Sequence, residues 1–228
     1  MLSIEWMGER FDLLPQRAAY RRRNRTLLIA DVHLGKPDAF IAAGVPVPNG
    51  SIKADLYRLA ASIERTGAAR LIVLGDLLHA RAGRTSGVID RFRAWRVDHH
   101  RLEIVLVRGN HDRSAGDPPD EWRIDCVDEP MCDDGMLCAH QPVDDGEMPN
   151  IAGHVHPAIV LHDRDGFRRR VRCFRFGERS ALLPAFGSFT GGKVIEPDEG
   201  DRIFAVDEEE VIDVTRLVGR SSGTRVRM

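Results

Sequence analysis

The sequence predicts an α/β protein on three observations. Short apolar runs at Thr26–Ala30, Leu71–Leu74 and Ile104–Val107 alternate with helical patterns, the order of crossover units around a parallel sheet. Each run ends in a polar cluster of Asp, Asn or His. Beyond Ile124 the chain turns into short strand-like pieces broken by Gly and Pro, which suggests a second sheet packed on the first.

Taken in order, the alternating apolar residues Leu2, Ile4 and Trp6, then Phe11, Leu13 and Leu14, predict a hairpin around Gly8. Arg17 to Arg25, with five Arg and no acid, reads as a connector to the first buried strand. Pro46, Pro48, Asn49 and Gly50 mark a loop, after which Ser51 caps a helix to about Thr66 with Ile52, Leu56, Leu59 and Ile63 on one face. A second helix is expected over Val88–His99. Strands follow at Met136–Ala139, Asn150–Gly153, Ala158–His162, Arg170–Phe174, Ala181–Pro184 and Arg202–Val206. Residues 1–214 are expected to form one domain, and 215–228, with four Arg and no acid, a flexible Arg-rich tail.

With 228 residues, 43% of them apolar, the chain has material for a real core and is not globally disordered. No run of about 18 apolar residues exists, so no membrane span is expected. Met1–Phe11 holds Glu5, Glu9 and Arg10 and no apolar stretch of the secretory kind, so a cytoplasmic protein with reduced thiols at Cys126, Cys132, Cys138 and Cys173 is expected.

Five clusters carry the chemistry: Asp31-Val32-His33, Gly75-Asp76-Leu77-Leu78-His79, Gly109-Asn110-His111-Asp112, Ala139-His140 and Gly153-His154-Val155-His156. All fall at the ends of expected strands, where α/β sheets place their sites. A single D-x-H is a common accident; five such clusters at strand ends are not. Carboxylate, amide and imidazole donors without thiolate favour a catalytic Mn, Fe or Zn site over a structural zinc knot.

This series resembles the calcineurin-like metallophosphoesterase superfamily across Asp31 to His156. The resemblance implies a four-layer αββα sandwich of two mixed β-sheets flanked by helices, holding two divalent metal ions, with Mn favoured and Fe or Zn possible. By position, Asp31, His33 and His156 would hold one ion and Asn110, His140 and His154 the other, with Asp76 bridging. A metal-bridging hydroxide would attack phosphorus, and His111 would serve as general acid. The Gly75–His79 spelling is similar to that of recombination nucleases, so His79 is a further catalytic candidate, orienting substrate or supporting His111.

A closer resemblance covers nearly the whole chain, to the ligase-associated DNA damage response endonuclease (PdeM) family. It rests on 30–36, 44–50, 73–80, 107–113, 151–158 and above all Leu183-Pro184-Ala185-Phe186-Gly187-Ser188-Phe189-Thr190-Gly191-Gly192. This implies DNA as substrate, and a DNA ligase and helicase of the same repair system as partners. The residues themselves reach only a two-metal phosphoester hydrolase, leaving small nucleotides as alternative substrates and, remotely, a non-catalytic scaffold.

Charge says little about nucleic acid. The net charge is -2, and without the four tail arginines it falls to about -6. Arginines cluster over Arg17–Arg25 and Arg164–Arg179, where solvated surface is the simpler reading. Lys36, Arg81 and Arg113 adjoin the metal motifs and are the candidates for phosphate contacts. The oligomeric state is not legible.

Overall fold

A computed structural model describes residues 1–47, 51–143, 147–162 and 167–218. The first sheet is laid out in chain order: β1 (Leu2–Trp6), β2 (Glu9–Leu14), β3 (Ala18–Arg21), β4 (Thr26–Ile29), β5 (Arg70–Leu74), β6 (Glu103–Val107) and β7 (Asp125–Val127). β1 to β4 pair antiparallel, because each connection is short; β4 to β7 pair parallel, because longer crossovers intervene. Four helices lie within or after these crossovers: α1 (Lys36–Ala42), α2 (Ser51–Thr66), α3 (Ser86–Asp98) and α4 (Asn110–Ala115). α3 starts two residues before its expected position because Thr85 caps it, its hydroxyl accepting the Val88 N–H at 3.3 Å.

The second sheet holds β8 (Met131–Asp133), β9 (Met136–Ala139), β10 (Asn150–Ala152), β11 (Pro157–His162), β12 (Arg168–Phe176), β13 (Ser180–Leu182), β14 (Lys193–Val194), β15 (Arg202–Val206) and β16 (Val211–Asp213). Its order is β14-β11-β12-β13-β10-β9-β8, with β15 pairing both β12 and β16. β9, β10 and β13 run parallel while β11 and β12 are antiparallel, so this sheet is mixed as well.

One core lies between the sheets: Ile4, Trp6, Phe11, Leu28, Ile72 and Val105 of the first meet Ile151, Phe174, Phe176 and Phe204 of the second. A second core lies under α2 and α3, where Ile52, Leu56, Leu59, Phe92 and Trp95 cover Ile29, Leu71 and Ile104. The third is small, Ile159, Cys173, Ile203, Ala205 and Val214, and is covered by α5 (Thr215–Val218). The two mixed sheets flanked by helices are therefore present. Among the described residues the outermost layer on the second sheet is a single helical turn. All four cysteines are free.

Two expectations change. Thr215–Val218, placed in the flexible tail, form α5 because Leu217 and Val218 pack on the third core and the Thr215 hydroxyl accepts the Ile203 N–H at 3.0 Å. Residues 219–228 of that tail, like the loop residues 48–50, lie outside the described residues. The Arg17–Arg25 connector contains β3, and Arg21 is fully buried there. Its guanidinium donates to both Glu9 carboxylate oxygens at 2.5 and 2.6 Å, to Asp133 Oδ2 at 2.9 Å, and to the Asp133 and Asp134 carbonyls. Every donor is answered, so the charge is tolerated inside. Arg21→Ala removes the buried cation between Glu9 and Asp133, leaving Glu9 only the exposed Arg23 and Asp133 only Arg70 and Asn24, and urea unfolding should show a loss of about 3–5 kcal/mol.

Candidate metal centre

All five clusters fall at the C-terminal ends of parallel strands, Asp31, Gly75 and Gly109 just beyond β4, β5 and β6, and His140 and Gly153 just beyond β9 and β10. Pairing continues past the strand ends, with Asp31 N–H donating to Gly75 O and His33 N–H to Asp76 O. The two sheets are tied at this edge by the His154 N–H, which donates to the Asp31 carboxylate at 3.0 Å.

Five of the seven expected ligands, Asp31, His33, Asp76, His154 and His156, have φ between 51° and 62°, a left-handed backbone that non-glycine residues rarely adopt. Each such residue costs about 1–3 kcal/mol and persists only where its surroundings hold it. Asp112 does much of that holding. Its buried carboxylate accepts the N–H groups of Asp76 at 2.7 Å, Leu78 at 2.9 Å and Gly109 at 3.0 Å, fixing the turns after β5 and β6 together. Gly75 has φ 75°, and a Cβ there would stand 2.2 Å from His140 Nδ1, so only glycine allows the imidazole to lie against the turn.

The seven donors converge in two groups. His140 Nδ1–H donates to Leu74 O at 3.2 Å, which leaves Nε2 as a lone pair. That lone pair faces Asn110 Oδ1 at 2.9 Å, His154 Nδ1 at 3.0 Å and Asp76 Oδ2 at 3.4 Å. In the second group His156 Nε2 lies 3.1 Å from Asp31 Oδ1, and His33 Nε2 lies 3.7 Å from the same Asp76 Oδ2. His33 Nε2 is buried without a hydrogen-bond partner. Lone pairs aimed at lone pairs, with an orphaned imidazole nitrogen among them, suit a cation in each group. Asp76 Oδ2 reaches both groups, and its Oδ1 is held by the His111 N–H at 2.9 Å. The residues therefore fit two divalent ions sharing Asp76.

Electrostatics agree. Burial, then its like-charged neighbours Asp31, Asp112 and Glu129, pushes the Asp76 carboxyl up to about 8, against the pull of the His111 N–H. Burial first, then the Lys36 charge, pushes His33 down to about 2, and burial with the His111 ring lowers His79 to about 4. Burial, with His140 beside it, also lowers His154. Imidazoles that stay neutral and a carboxyl waiting for positive charge make a cation site.

His79 lies beside this centre. If His33 Nε2 is to offer a lone pair, its proton sits on Nδ1, which lies 3.2 Å from His79 Nδ1 and donates to it. His111 stacks on His79, ring centroids 4.7 Å apart, and its Nδ1–H donates to the His79 carbonyl at 2.7 Å. Its Nε2 is thus free for chemistry. Phe40 of α1 also stacks on His79, ring centroids 6.3 Å apart, and Phe189 meets Phe40 edge-on. The sequence shows Asp112 and Phe189 within matched motifs but not these roles, although an acid three residues into a helix after Gly109 is a capping signal, and Phe40 carries no signal there.

The three expected phosphate contacts fare differently. Lys36 opens α1 and is half-buried near Asp76 and Asp31, where burial lowers its pKa. Arg81 is exposed on a 3-10 turn at Arg81–Gly83. Arg113 is drawn instead into a structural contact: its Nη1 donates to Glu129 Oε1 at 3.1 Å, and Glu129 Oε2 accepts the His140 and Gln141 N–H groups at 2.9 and 2.8 Å. Arg113 thereby steadies His140.

With this geometry in place the comparisons are decisive. The model of the calcineurin-like phosphoesterase family matches residues 24–168, and the chain belongs to that family. It is a metal-dependent phosphoester hydrolase, and the donor set fits that chemistry. It is similar to the Pseudomonas putida nuclease MPE, with 40% identity, coverage of 90% of this chain and 96% of that one, and a TM-score of 0.80. Yfce, a phosphoesterase from E. coli, matches at 16% identity over 80% of this chain and 87% of its own, with a TM-score of 0.36. Among curated proteins none matches. No helix of the described residues is long and apolar enough to cross a membrane.

Because the metal-free Asp76 carboxyl titrates near 8 and His33 and His79 are already neutral at neutral pH, metal binding at about pH 7 should expel a proton from Asp76. Calorimetry in buffers of different ionisation enthalpy should show this contribution at about pH 7 and little of it at about pH 9. Asp76→Asn should weaken binding of both ions and abolish that contribution.

Proposed function

We propose that this chain is a two-metal nuclease that hydrolyses DNA phosphodiester bonds in bacterial DNA repair. The observation that carries this reading is the 40% identity to a nuclease across almost the full length of both chains, joined to a complete donor set around Asp76. Manganese is the favoured ion, with iron or zinc as alternatives, since nitrogen and oxygen donors without thiolate accept all three. The DNA repair assignment, a cytoplasmic setting and the association with a DNA ligase and helicase rest on the resemblance of the 183–192 stretch and the other matching motifs to the PdeM family.

Bound in the two groups, the cations would supply positive charge for the phosphate oxygens and acidify water at neutral pH. The chain's own residues do the rest. Asp76 places its shared oxygen between the groups, and Asp112 and Gly75 hold the turn that carries it. Lys36 adds positive charge beside the same two carboxylates, where a substrate phosphate would arrive. His111, oriented through Nδ1 by the His79 carbonyl, offers a proton from Nε2 to the departing oxygen. His79 keeps the proton of His33 on Nδ1 and carries the ring on which His111 stacks.

Cleavage of labelled single-stranded, duplex, nicked and flapped DNA with Mn, Mg or Zn, set against bis-p-nitrophenyl phosphate and the monoester, tests this reading. Activity confined to small nucleotides or monoesters would replace it. His111→Ala should keep its metals and slow DNA cleavage by about 100-fold or more, but hardly affect the nitrophenyl ester, whose leaving group needs no proton. Loss of metal would make His111 a ligand instead.

The two arginines separate in the same assays. Arg81→Ala should raise KM for DNA alone, since only DNA offers flanking phosphates. Arg113→Ala should slow both substrates, because it releases Glu129 and with it His140. Equal effects of the two substitutions would contradict this division.

A further inference from the structure

The two arginine-rich stretches, more than a hundred residues apart in sequence, meet at one place. A cavity of about 640 Å³ is lined by Arg17 from the first and by Arg169, Arg170 and Arg172 from the second, with Arg58 and Tyr57 of α2. Two acids also line it, Asp207 and Glu208, and Asp207 lies 3.9 Å from Arg169. Arg58 is held by Asp55 and lies 5.0 Å over the Phe186 ring. Arg17 donates to the Phe186 and Gly187 carbonyls at 3.1 and 3.4 Å, Arg172 to the Thr190 carbonyl, and Arg170 to the Gly192 carbonyl.

These hydrogen bonds end on neutral carbonyls, and the acids nearby, Asp55 and Glu208, act on Arg17 without forming an ion pair with it. Nothing pairs Arg17, Arg170 or Arg172 with an acid among the described residues, and the Nε donors of Arg58 and Arg172 are buried without a partner. Burial, with Arg58 and Arg172 beside it, lowers Arg17 to about 9. Guanidinium groups crowded together with spare N–H donors call for an anion with several acceptor oxygens. Tyr57, 78% exposed at the rim, adds a free aromatic face. Phosphate oxygens below and a flat ring above are the chemistry of a nucleotide.

The cavity and the metal centre share one stretch of chain: the Gly187 N–H donates to Asp31 O and the Lys193 N–H to His156 O, while Gly191 and Gly192 line the cavity. We propose that this arginine pocket binds a nucleotide phosphate, as part of the strand whose neighbouring phosphate lies on the metal centre. This rests on the nuclease reading for its strand, though the pocket's binding is measurable without cleavage.

The test is fluorescence anisotropy of a labelled single-stranded phosphorothioate oligonucleotide on the metal-loaded protein, alongside thermal stabilisation by deoxythymidine monophosphate. R17Q and R172Q should each weaken oligonucleotide binding by about tenfold or more, and each should make the slope of log affinity against log salt shallower by about 0.7, the value for one phosphate neutralised on a single strand. Because both arginines also hold loop carbonyls, a second pair is Y57A, at an exposed position, and R170Q, whose bond to the Gly192 carbonyl is itself exposed. Y57A should weaken binding by about fivefold or more, because a base then has no ring to stack on. If R172Q instead cancels stabilisation by the mononucleotide and spares the oligonucleotide, the pocket's ligand is a free nucleotide. Unchanged binding of both probes in all four folded variants would overturn the proposal. Absence of DNA cleavage with these binding losses intact would overturn the nuclease reading alone.

Discussion

The structure is organised around lone pairs that face one another. In the metal-free protein His140 Nε2 is crowded by Asn110 Oδ1, His154 Nδ1 and Asp76 Oδ2, and His33 Nε2 is buried without a hydrogen-bond partner. A buried acceptor without a donor costs about 1–3 kcal/mol, and here several share one site. Folding can sustain that only if the frame is rigid and stable on its own account. The frame is the pair of sheets, closed on each other by an almost purely apolar core.

Rigidity at the strand ends has its own source. Five left-handed ligand residues are unfavourable, and the Asp112 carboxylate offsets part of that cost by taking three N–H groups that no strand partner reaches. Glu129 does the same for His140 and Gln141 from the second sheet. Each acid is placed by an element of its own: Asp112 by α4, Glu129 by the segment between β7 and β8. The site is thus held from both sheets at once, and changing either acid reaches the ligands without touching a metal.

The parallel core and the site were legible in the sequence for one reason. Apolar runs that stop at Asp31, Gly75-Asp76 and Gly109-Asn110 show where strands end, and a binding site must lie where they end. All seven candidate ligands sit in such clusters, and the family resemblance gave them their individual roles. What escaped depends on distance in sequence. β3 was hidden because Arg21 looks like solvent-facing charge until Glu9 and Asp133, from other strands, close around it. α5 was hidden because its reason for folding is the patch of Ile159, Ile203 and Val214 it covers. The ion pair of Arg113 was hidden because its partner Glu129 lies sixteen residues away.

Net charge says equally little about where the positive charge sits. A chain at -2 does not look like one that grips a polyanion, and its arginine runs resemble ordinary surface. Yet the fold uses many of its arginines locally: Arg21 on Glu9 and Asp133, Arg22 on Asp12, Arg108 on Asp117, Arg175 on Asp201. Among the arginines with no such acid partner, Arg17, Arg170 and Arg172 gather beside the 186–192 loop, whose carbonyls orient their guanidinium groups and whose Gly187 N–H donates to the Asp31 carbonyl. Coulomb attraction between charges weakens within about 8–10 Å in physiological salt. What a phosphate senses is therefore this local excess and the ions at the centre, and the balance of the whole chain has little say in it.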